Sequence, residues 1–215
     1  DPSASAAAGG LSRMHMIERP SPNFGDRREG DTVSMLVLHY TDMETAEAAL
    51  DRLRDPAAEV SAHYLIDEAG RIYRLVAEDR RAWHAGVSFW RGERDVNSRS
   101  IGIELANPGH SNGYCPFPEL QMNALRRLAT AILSRHPIPA QNVVAHSDIA
   151  PGRKIDPGEL FDWRWLAGEG IGLWPAPAAP GDADMETLLG AIGYDPEAPL
   201  ADRIGAFQRR FRPSR

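Results

Sequence analysis

The sequence feature that most constrains this chain is a polar loop, from Ala145 to Gly158, that follows an apolar segment. The loop places His146 at the end of a predicted strand and Asp156 ten positions later. Upstream, His39 ends a second apolar run. A strand end fixes where a side chain points, so these three side chains could bind one metal ion. Two histidines and one carboxylate leave a fourth tetrahedral position open, which is the arrangement of a catalytic rather than a structural zinc site.

Four sequence blocks occur in a fixed order along the chain: LVLHYT (36–41), WHAG (83–86), SIGIELAN (100–107) and HSDIAPGRKIDPG (146–158). Together they resemble the zinc-dependent N-acetylmuramoyl-L-alanine amidases of the type-2 amidase family. The resemblance runs from about Ile17 to Trp174, most of the chain. Each block alone would be a weak signal, whereas four in order over this length are specific.

The resemblance implies one Zn²⁺, bound by His39, His146 and Asp156. It also implies hydrolysis of the amide bond between N-acetylmuramic acid, or its anhydro form, and L-alanine of peptidoglycan stem peptides. The predicted partner is therefore peptidoglycan or a muropeptide, and the oligomeric state stays open. The alternative is a peptidoglycan-recognition module of the same fold that binds without cleaving. Such modules typically lose a zinc ligand, and all three ligands are present here, which favours the hydrolase.

Amide hydrolysis also needs a proton acceptor and a group that stabilises negative charge on the carbonyl oxygen. In the segment 100–107, alternation puts Glu104 on the face opposite to its apolar neighbours, and the resemblance makes that face the zinc cleft. We therefore expect Glu104 to be the general base and Lys154 to stabilise the oxyanion. Some relatives carry a catalytic tyrosine immediately before the hairpin histidine. Here that position is Ala62, and Tyr64 lies two residues further on.

Four residues are predicted to contact the substrate: Trp83, His84, Arg94 and Asn107. An aromatic and cationic loop suits a glycan face and the carboxylates of a stem peptide. Core packing is an equally good interpretation for Trp83, and metal ligation by His84 is not expected.

Composition limits the remaining possibilities. Of the 215 residues, 42% are hydrophobic and 25% are charged, which is typical of a globular domain. The net charge of −6 argues against a nucleic-acid partner. No apolar run approaches the roughly 20 residues of a transmembrane helix. Cys115 is the only cysteine, which excludes an intrachain disulfide. The absence of a recognisable signal peptide slightly favours the cytoplasm over the periplasm.

Shifts in composition suggest four parts. Residues 1–16 form a low-complexity leader, disordered or vector-derived, and residues 17–174 form the zinc amidase domain. A stiff Pro/Ala linker follows at 175–181. The helical segment 182–215 resembles part of a peptidoglycan-binding module; the alternative is a tail that packs on the catalytic domain. A wall-binding segment favours polymeric substrate, whereas a cytoplasmic location favours small muropeptides.

Apolar periodicity predicts an α/β fold with a mixed central β-sheet flanked by helices and a small helical C-terminal segment. The predicted strands are 33–39, 62–66, 72–76, 100–105 and 142–145, and the predicted helices are 45–54, 119–135, 158–167, 184–192 and 200–211.

Overall fold

The structure, a computed structural model, describes residues 14–214. Residues 1–13 of the predicted leader lie outside the described residues. The side chains of Met14 and Met16 pack against the main core, and Met16 pairs with Ile72 in the sheet.

Eight strands are present in the described part of the chain. They are β1 (Met16–Glu18), β2 (Phe24–Asp26), β3 (Met35–Tyr40), β4 (Tyr64–Ile66), β5 (Ile72–Arg74), β6 (Arg80–Ala82), β7 (Ser100–Leu105) and β8 (Val143–Ala145). Six of them form one sheet in the order β1-β5-β4-β7-β3-β8, and β2 pairs with β6 separately. Within the large sheet β4 and β5 form the predicted antiparallel hairpin, and all other pairs are parallel. The predicted mixed sheet is thus confirmed.

Eight α-helices accompany the sheet within residues 14–214. They are α1 (Ala46–Arg54), α2 (Val96–Arg99), α3 (Gly109–Asn112), α4 (Glu119–Arg135), α5 (His146–Ile149), α6 (Trp163–Gly168), α7 (Met185–Ile192) and α8 (Leu200–Phe211). Single 3-10 turns occur at Pro56–Ala58 and Ala140–Asn142. Among these described helices, none is both long and apolar enough to cross a lipid bilayer.

Side-chain alternation divides the central strands between two faces. On β3, Leu36 and Leu38 belong to the main core with α4, whereas Val37 packs into a second cluster on the opposite face. On β7, Ile101 and Ile103 likewise face the main core. Because successive strand residues point to opposite sides, the polar residues between them face away from this core.

The helix predicted at 158–167 is wrong in its first half, since α6 begins only at Trp163. Gly158 has a left-handed φ of +83°, and a Cβ at this position would lie 2.4 Å from the Tyr114 hydroxyl. The backbone therefore cannot start a helix here. Instead Asp162 caps α6 by accepting a hydrogen bond from the Trp165 N–H.

The C-terminal segment packs on the sheet. Leu189 of α7, the following Tyr194 and Ala206 of α8 are buried in one cluster with Val37 and Val144 of the central strands. At the end of α8, the Phe211 ring lies 5.7 Å from that of Trp174. These contacts agree with the alternative of a tail packed on the catalytic domain, and wall binding by this segment stays a prediction.

Candidate active site

The site begins with the register of the two central strands. In the parallel pair β3–β7, His39 lies directly opposite Glu104. Neighbouring in-register residues of a sheet point to the same side, so both side chains leave the face opposite to the main core. On the other side of Glu104 its neighbour in register is Leu65 of β4. The sheet thus places one candidate ligand and the candidate base side by side.

The second histidine comes from the neighbouring strand. β8 ends at Ala145, and His146 is the first residue of the short helix α5. The chain then turns back, so that the Ser147 N–H donates to the carbonyl oxygen of Asp156 at 3.0 Å. This turn brings the Asp156 carboxylate beside the histidine ten residues before it.

The three predicted ligands converge on one point. His39 Nδ1 lies 2.9 Å from His146 Nδ1, and each of these atoms lies 3.2 Å from Asp156 Oδ2. All three residues are buried. Among residues 14–214 this is the group whose ligand atoms could hold a metal ion.

The other contacts of the two rings determine where their lone pairs point. His146 Nε2 lies 3.0 Å from the carbonyl oxygen of Ala85. A carbonyl only accepts, so in the neutral imidazole Nε2 carries the proton and Nδ1 presents its lone pair. Burial, and next the neighbouring His146, lower the pKa of His39 to about 4. The His39 ring is thus neutral near pH 7, as a metal ligand must be.

The donor set suits a cation. The Asp156 carboxylate is held ionised, because the nearby His146 and His39 lower its pKa well below the usual value despite its burial. Two imidazole lone pairs and a carboxylate oxygen facing one another repel unless a positive charge lies between them. Ligand atoms around a tetrahedral zinc are themselves about 3.3 Å apart, close to the spacing observed here.

His84 orients His39 from behind. Its Nδ1 lies 3.0 Å from His39 Nε2, and its Nε2 lies 3.0 Å from the Ser100 hydroxyl oxygen. When His39 Nδ1 binds a metal, His39 Nε2–H donates to His84, and His84 in turn donates to Ser100. This buried histidine was predicted to contact substrate, and the sequence alone did not indicate its contact with a ligand.

Gly102 makes room for the His84 ring. A Cβ at this position would lie 2.5 Å from His84 Cγ, so only glycine allows the imidazole to lie flat on β7. Contact with the His84 ring therefore explains why residue 102 of the SIGIELAN block is a glycine.

Glu104 lies in the wall of a cleft of about 360 Å³ that also contains His39, His146 and Asp156. Its Oε2 is buried and has no hydrogen-bond partner within the described chain. Burial raises the pKa of this carboxyl well above the usual value, and the charge of Asp156 raises it further. A carboxylate with a raised pKa and a free oxygen is suited to accept a proton.

Positive charges line the same cleft. Lys154 is exposed at its edge, and Arg52 of α1 and Arg153 are further lining residues. Arg153 also donates to the carbonyl oxygens of Ala85 and Val87, both at 2.7 Å. The loop that contains Asp156 is thereby tied to the loop that follows Trp83.

The four predicted substrate contacts fall in different places. Trp83 and His84 line the cleft, and the Trp83 side chain is half-buried. Arg94 is not among the lining residues; its guanidinium pairs with Asp195 and Glu197 of the C-terminal segment at 3.2 and 2.9 Å.

Asn107 is buried, and its side chain forms hydrogen bonds with the backbone of the segment that follows it. Its amide donates to the Cys115 carbonyl and accepts from the Gly109 N–H. The sequence could not show these hydrogen bonds, because both partners of the Asn107 side chain are backbone groups, which leave no side-chain pattern to recognise.

A tyrosine that sequence reasoning did not single out lines the cleft. Tyr40 follows His39, and its hydroxyl lies 2.9 Å from His110 Nδ1. Tyr64, by contrast, donates to Glu78 at 2.7 Å and belongs to the main core. Tyr64 therefore does not take the place of the tyrosine that Ala62 replaces.

A mixed sheet with two histidines, an aspartate and an unpartnered glutamate in one cleft defines a hydrolase-type site able to hold one metal ion. A family model described as N-acetylmuramoyl-L-alanine amidase matches residues 29–159. The chain is 39% identical over 241 aligned positions to the N-acetylmuramoyl-L-alanine amidase AmiD of Escherichia coli K12, covering 96% of this chain and 86% of the relative. It is 37% identical to the 1,6-anhydro-N-acetylmuramyl-L-alanine amidase AmpD of Haemophilus influenzae, over 68% of this chain and 88% of that protein.

Solved structures agree with these relatives. Escherichia coli AmiD, in complex with the substrate anhydro-N-acetylmuramic acid-L-Ala-D-γ-Glu-L-Lys, superposes with a TM-score of 0.75 at 37% identity and 90% coverage of both chains. AmpDh3 of Pseudomonas aeruginosa superposes with a TM-score of 0.78 at 37% identity, over 85% of this chain and 84% of that one. The chain belongs to the N-acetylmuramoyl-L-alanine amidase family. The predicted family, fold class and enzyme class are confirmed.

We predict that Gly102→Ala weakens zinc binding about tenfold, the lower end of what loss of an orienting partner of a metal ligand costs. The added methyl group displaces His84 and thereby releases His39 Nε2. Gly168→Ala is the matched control, since a Cβ there meets nothing within 4 Å. Competition with a chelator measures both affinities. Equal affinities in the two variants would show that His84 does not orient His39.

Proposed function

We propose that this chain is a zinc-dependent amidase that hydrolyses the bond between N-acetylmuramic acid, or its anhydro form, and L-alanine of stem peptides. The observation that carries the proposal is the convergence of His39 Nδ1, His146 Nδ1 and Asp156 Oδ2 within 3.2 Å of one another, in the cleft that also contains Glu104. Membership of the amidase family supplies the bond type.

His39, His146 and Asp156 would hold the zinc. When bound, zinc acts as a Lewis acid that makes water a good nucleophile near neutral pH and polarises a carbonyl group. The residues fit this ion because His39 Nδ1, His146 Nδ1 and Asp156 Oδ2 converge on one point, and because the lowered pKa of His39 keeps that ring neutral near pH 7.

Glu104 is proposed to move the proton. As the water oxygen bonds to the amide carbon, Glu104 accepts a proton from the water. It then passes that proton to the leaving nitrogen as the carbon–nitrogen bond breaks, which gives an amine and a carboxylic acid. The acid then loses its remaining water-derived proton to the amine or to solvent, so that the final products are a carboxylate and an ammonium group. Its unpartnered Oε2 and raised pKa support both steps, since a carboxylate with a pKa nearer neutrality both accepts and returns a proton readily.

Lys154 is proposed to stabilise the negative charge that develops on the carbonyl oxygen. Its position at the edge of the cleft, on the loop that leads to Asp156, supports this role. Arg52 and Arg153 on the same cleft would attract the carboxylates of a stem peptide, and Trp83 offers an apolar surface beside them. We retain Trp83 as a substrate contact and assign His84 to the support of His39.

The relatives support a proposal for the substrate class. AmiD has been captured with an anhydro-muramyl tripeptide and AmpDh3 with an anhydromuramic pentapeptide. We therefore propose that this chain accepts anhydro-muropeptides, for cell-wall turnover or recycling. The relatives AmiD and AmpD are bacterial proteins, and the compartment of this chain stays a prediction.

Asp156→Ala is expected to lose bound zinc, because only two ligands remain. Asp51→Ala, which removes an exposed carboxylate on α1, is the control and should bind one zinc per chain. Elemental analysis of both purified proteins measures the difference. Undiminished zinc in Asp156→Ala would rule out this ligand set.

Glu104→Gln is expected to keep its zinc and its fold yet lose about 10²–10⁴-fold in kcat, since only proton transfer is removed. Glu119→Gln, at the exposed start of α4, should retain full activity. Turnover near the wild-type rate by a zinc-loaded Glu104→Gln protein would exclude Glu104 as the base.

Wild-type protein is expected to release L-Ala-containing peptide from anhydro-muramyl tripeptide. Mass spectrometry of the products, run beside the same reaction on purified sacculi, tests this expectation and measures the preference between small and polymeric substrate. Cleavage of sacculi alone would contradict the proposed acceptance of anhydro-muropeptides.

A further inference from the structure

Asp148 lies two residues after the proposed ligand His146 and is fully buried. Its Oδ2 accepts from the Ala145 N–H at 2.9 Å, which caps the start of α5. Two further donors reach the same carboxylate from the C-terminal segment. Tyr194 donates its hydroxyl to Oδ1 at 2.7 Å, and Arg210 of α8 donates Nη1 to Oδ2 at 2.7 Å. We call Asp148, Tyr194 and Arg210 the Asp148 cluster.

Arg210 makes a second contact on the strand that leads to the ligand. Its Nη2 donates to the carbonyl oxygen of Val143 at 2.9 Å, and its guanidinium lies over the Trp163 ring at 4.1 Å. One buried arginine thus holds both β8 and α5, the two elements on either side of the Ala145–His146 bond. Arg210 and Asp148 are both buried, so removing either partner would leave the other charge uncompensated, which is strongly unfavourable.

α8 also lies against the turn after α5. A Cβ at Gly152 would lie 2.4 Å from Asp202 Oδ2, so the backbone of this turn is in direct contact with α8. Two residues further on is Lys154. The C-terminal segment therefore contacts the 146–156 loop at its start and in its middle.

The segment contacts the neighbouring 84–94 loop as well. The Arg91 N–H donates to the Gly193 carbonyl oxygen at 2.9 Å, and the Trp90 ring packs edge-on against Tyr194 at 5.1 Å. Both loops that surround the candidate ligands thus rest on residues 193–210.

We propose that the C-terminal segment is a positioning element of the metal site, acting through the Asp148 cluster to hold His146 in the orientation that binds the ion. The inference rests on the proposed function, because it takes His146 as a zinc ligand. It gives this segment a role in the catalytic unit itself, separate from any affinity for the cell wall. A purely structural role would lower stability without changing zinc affinity in the folded protein.

The test compares two buried arginines of α8 in the full-length chain. Arg210→Met removes the donor to Asp148. Arg203→Met is the matched control, because Arg203 is also buried but pairs with Glu186 inside the C-terminal segment. Zinc affinity is measured by chelator competition at a temperature where both variants are folded. We expect Arg210→Met to bind zinc about tenfold more weakly, Arg203→Met to match wild type, and Arg210→Lys to restore part of the loss.

If Arg210→Met does not fold, a less disruptive variant, Tyr194→Phe, tests the same proposal. Tyr194→Phe keeps the ring against Trp90 and removes only the hydroxyl donor to Asp148. We expect faster hydrogen exchange at the Ala145 amide, whose acceptor is Asp148, together with a smaller loss of zinc affinity.

Unchanged zinc affinity in Tyr194→Phe, or equal affinities in the two arginine variants, would overturn the positioning role. A wild-type protein that binds no zinc would instead overturn the proposed function.

Discussion

The parallel pairing of β3 with β7 is the constraint on which the rest of the site depends. Register alone puts His39 opposite Glu104, and alternation sends both to the face that the main core leaves free. The second candidate ligand, His146, follows directly after β8, which pairs with β3 on its other side and ends at Ala145. A shift of one residue in β7 would turn Glu104 into the core and its apolar neighbours into the cleft.

Much of this arrangement could be predicted from the sequence because its signals are local. The alternation in β7 identified the face of Glu104, and the apolar stripe of α4 gave its bounds from Glu119 to Arg135 as observed. The hairpin around Gly70 was equally visible. Each of these features depends on residues that are close together in the sequence. Contacts with distant segments therefore did not change the predicted strand, helix or hairpin.

What the sequence did not reveal depends on contacts between distant segments. His84 orients His39 across 45 positions, and Arg94 pairs with the C-terminal segment across about 100. The sequence around His84 and around Arg94 does not show whether the side chain contacts substrate or another residue of the protein. The start of α6 was missed for a related reason, since Gly158 has a left-handed backbone and lies against the distant Tyr114, where a side chain would not fit.

The Asp148–Arg210 contact links the candidate metal site to the order in which the chain is made. The two residues are 62 positions apart, and the proposed ligand His39 precedes His146 by 107. During synthesis the ligands therefore leave the ribosome well before the arginine that holds the second of them. Until residues 193–210 dock, the Asp148 carboxylate of α5 lacks the Tyr194 hydroxyl and the Arg210 guanidinium, and of its three donors only the Ala145 N–H is in place. All strands of the large sheet thus precede Tyr194 and Arg210 in the chain, so the Asp148 cluster forms only after the strands that carry the candidate ligands have been made.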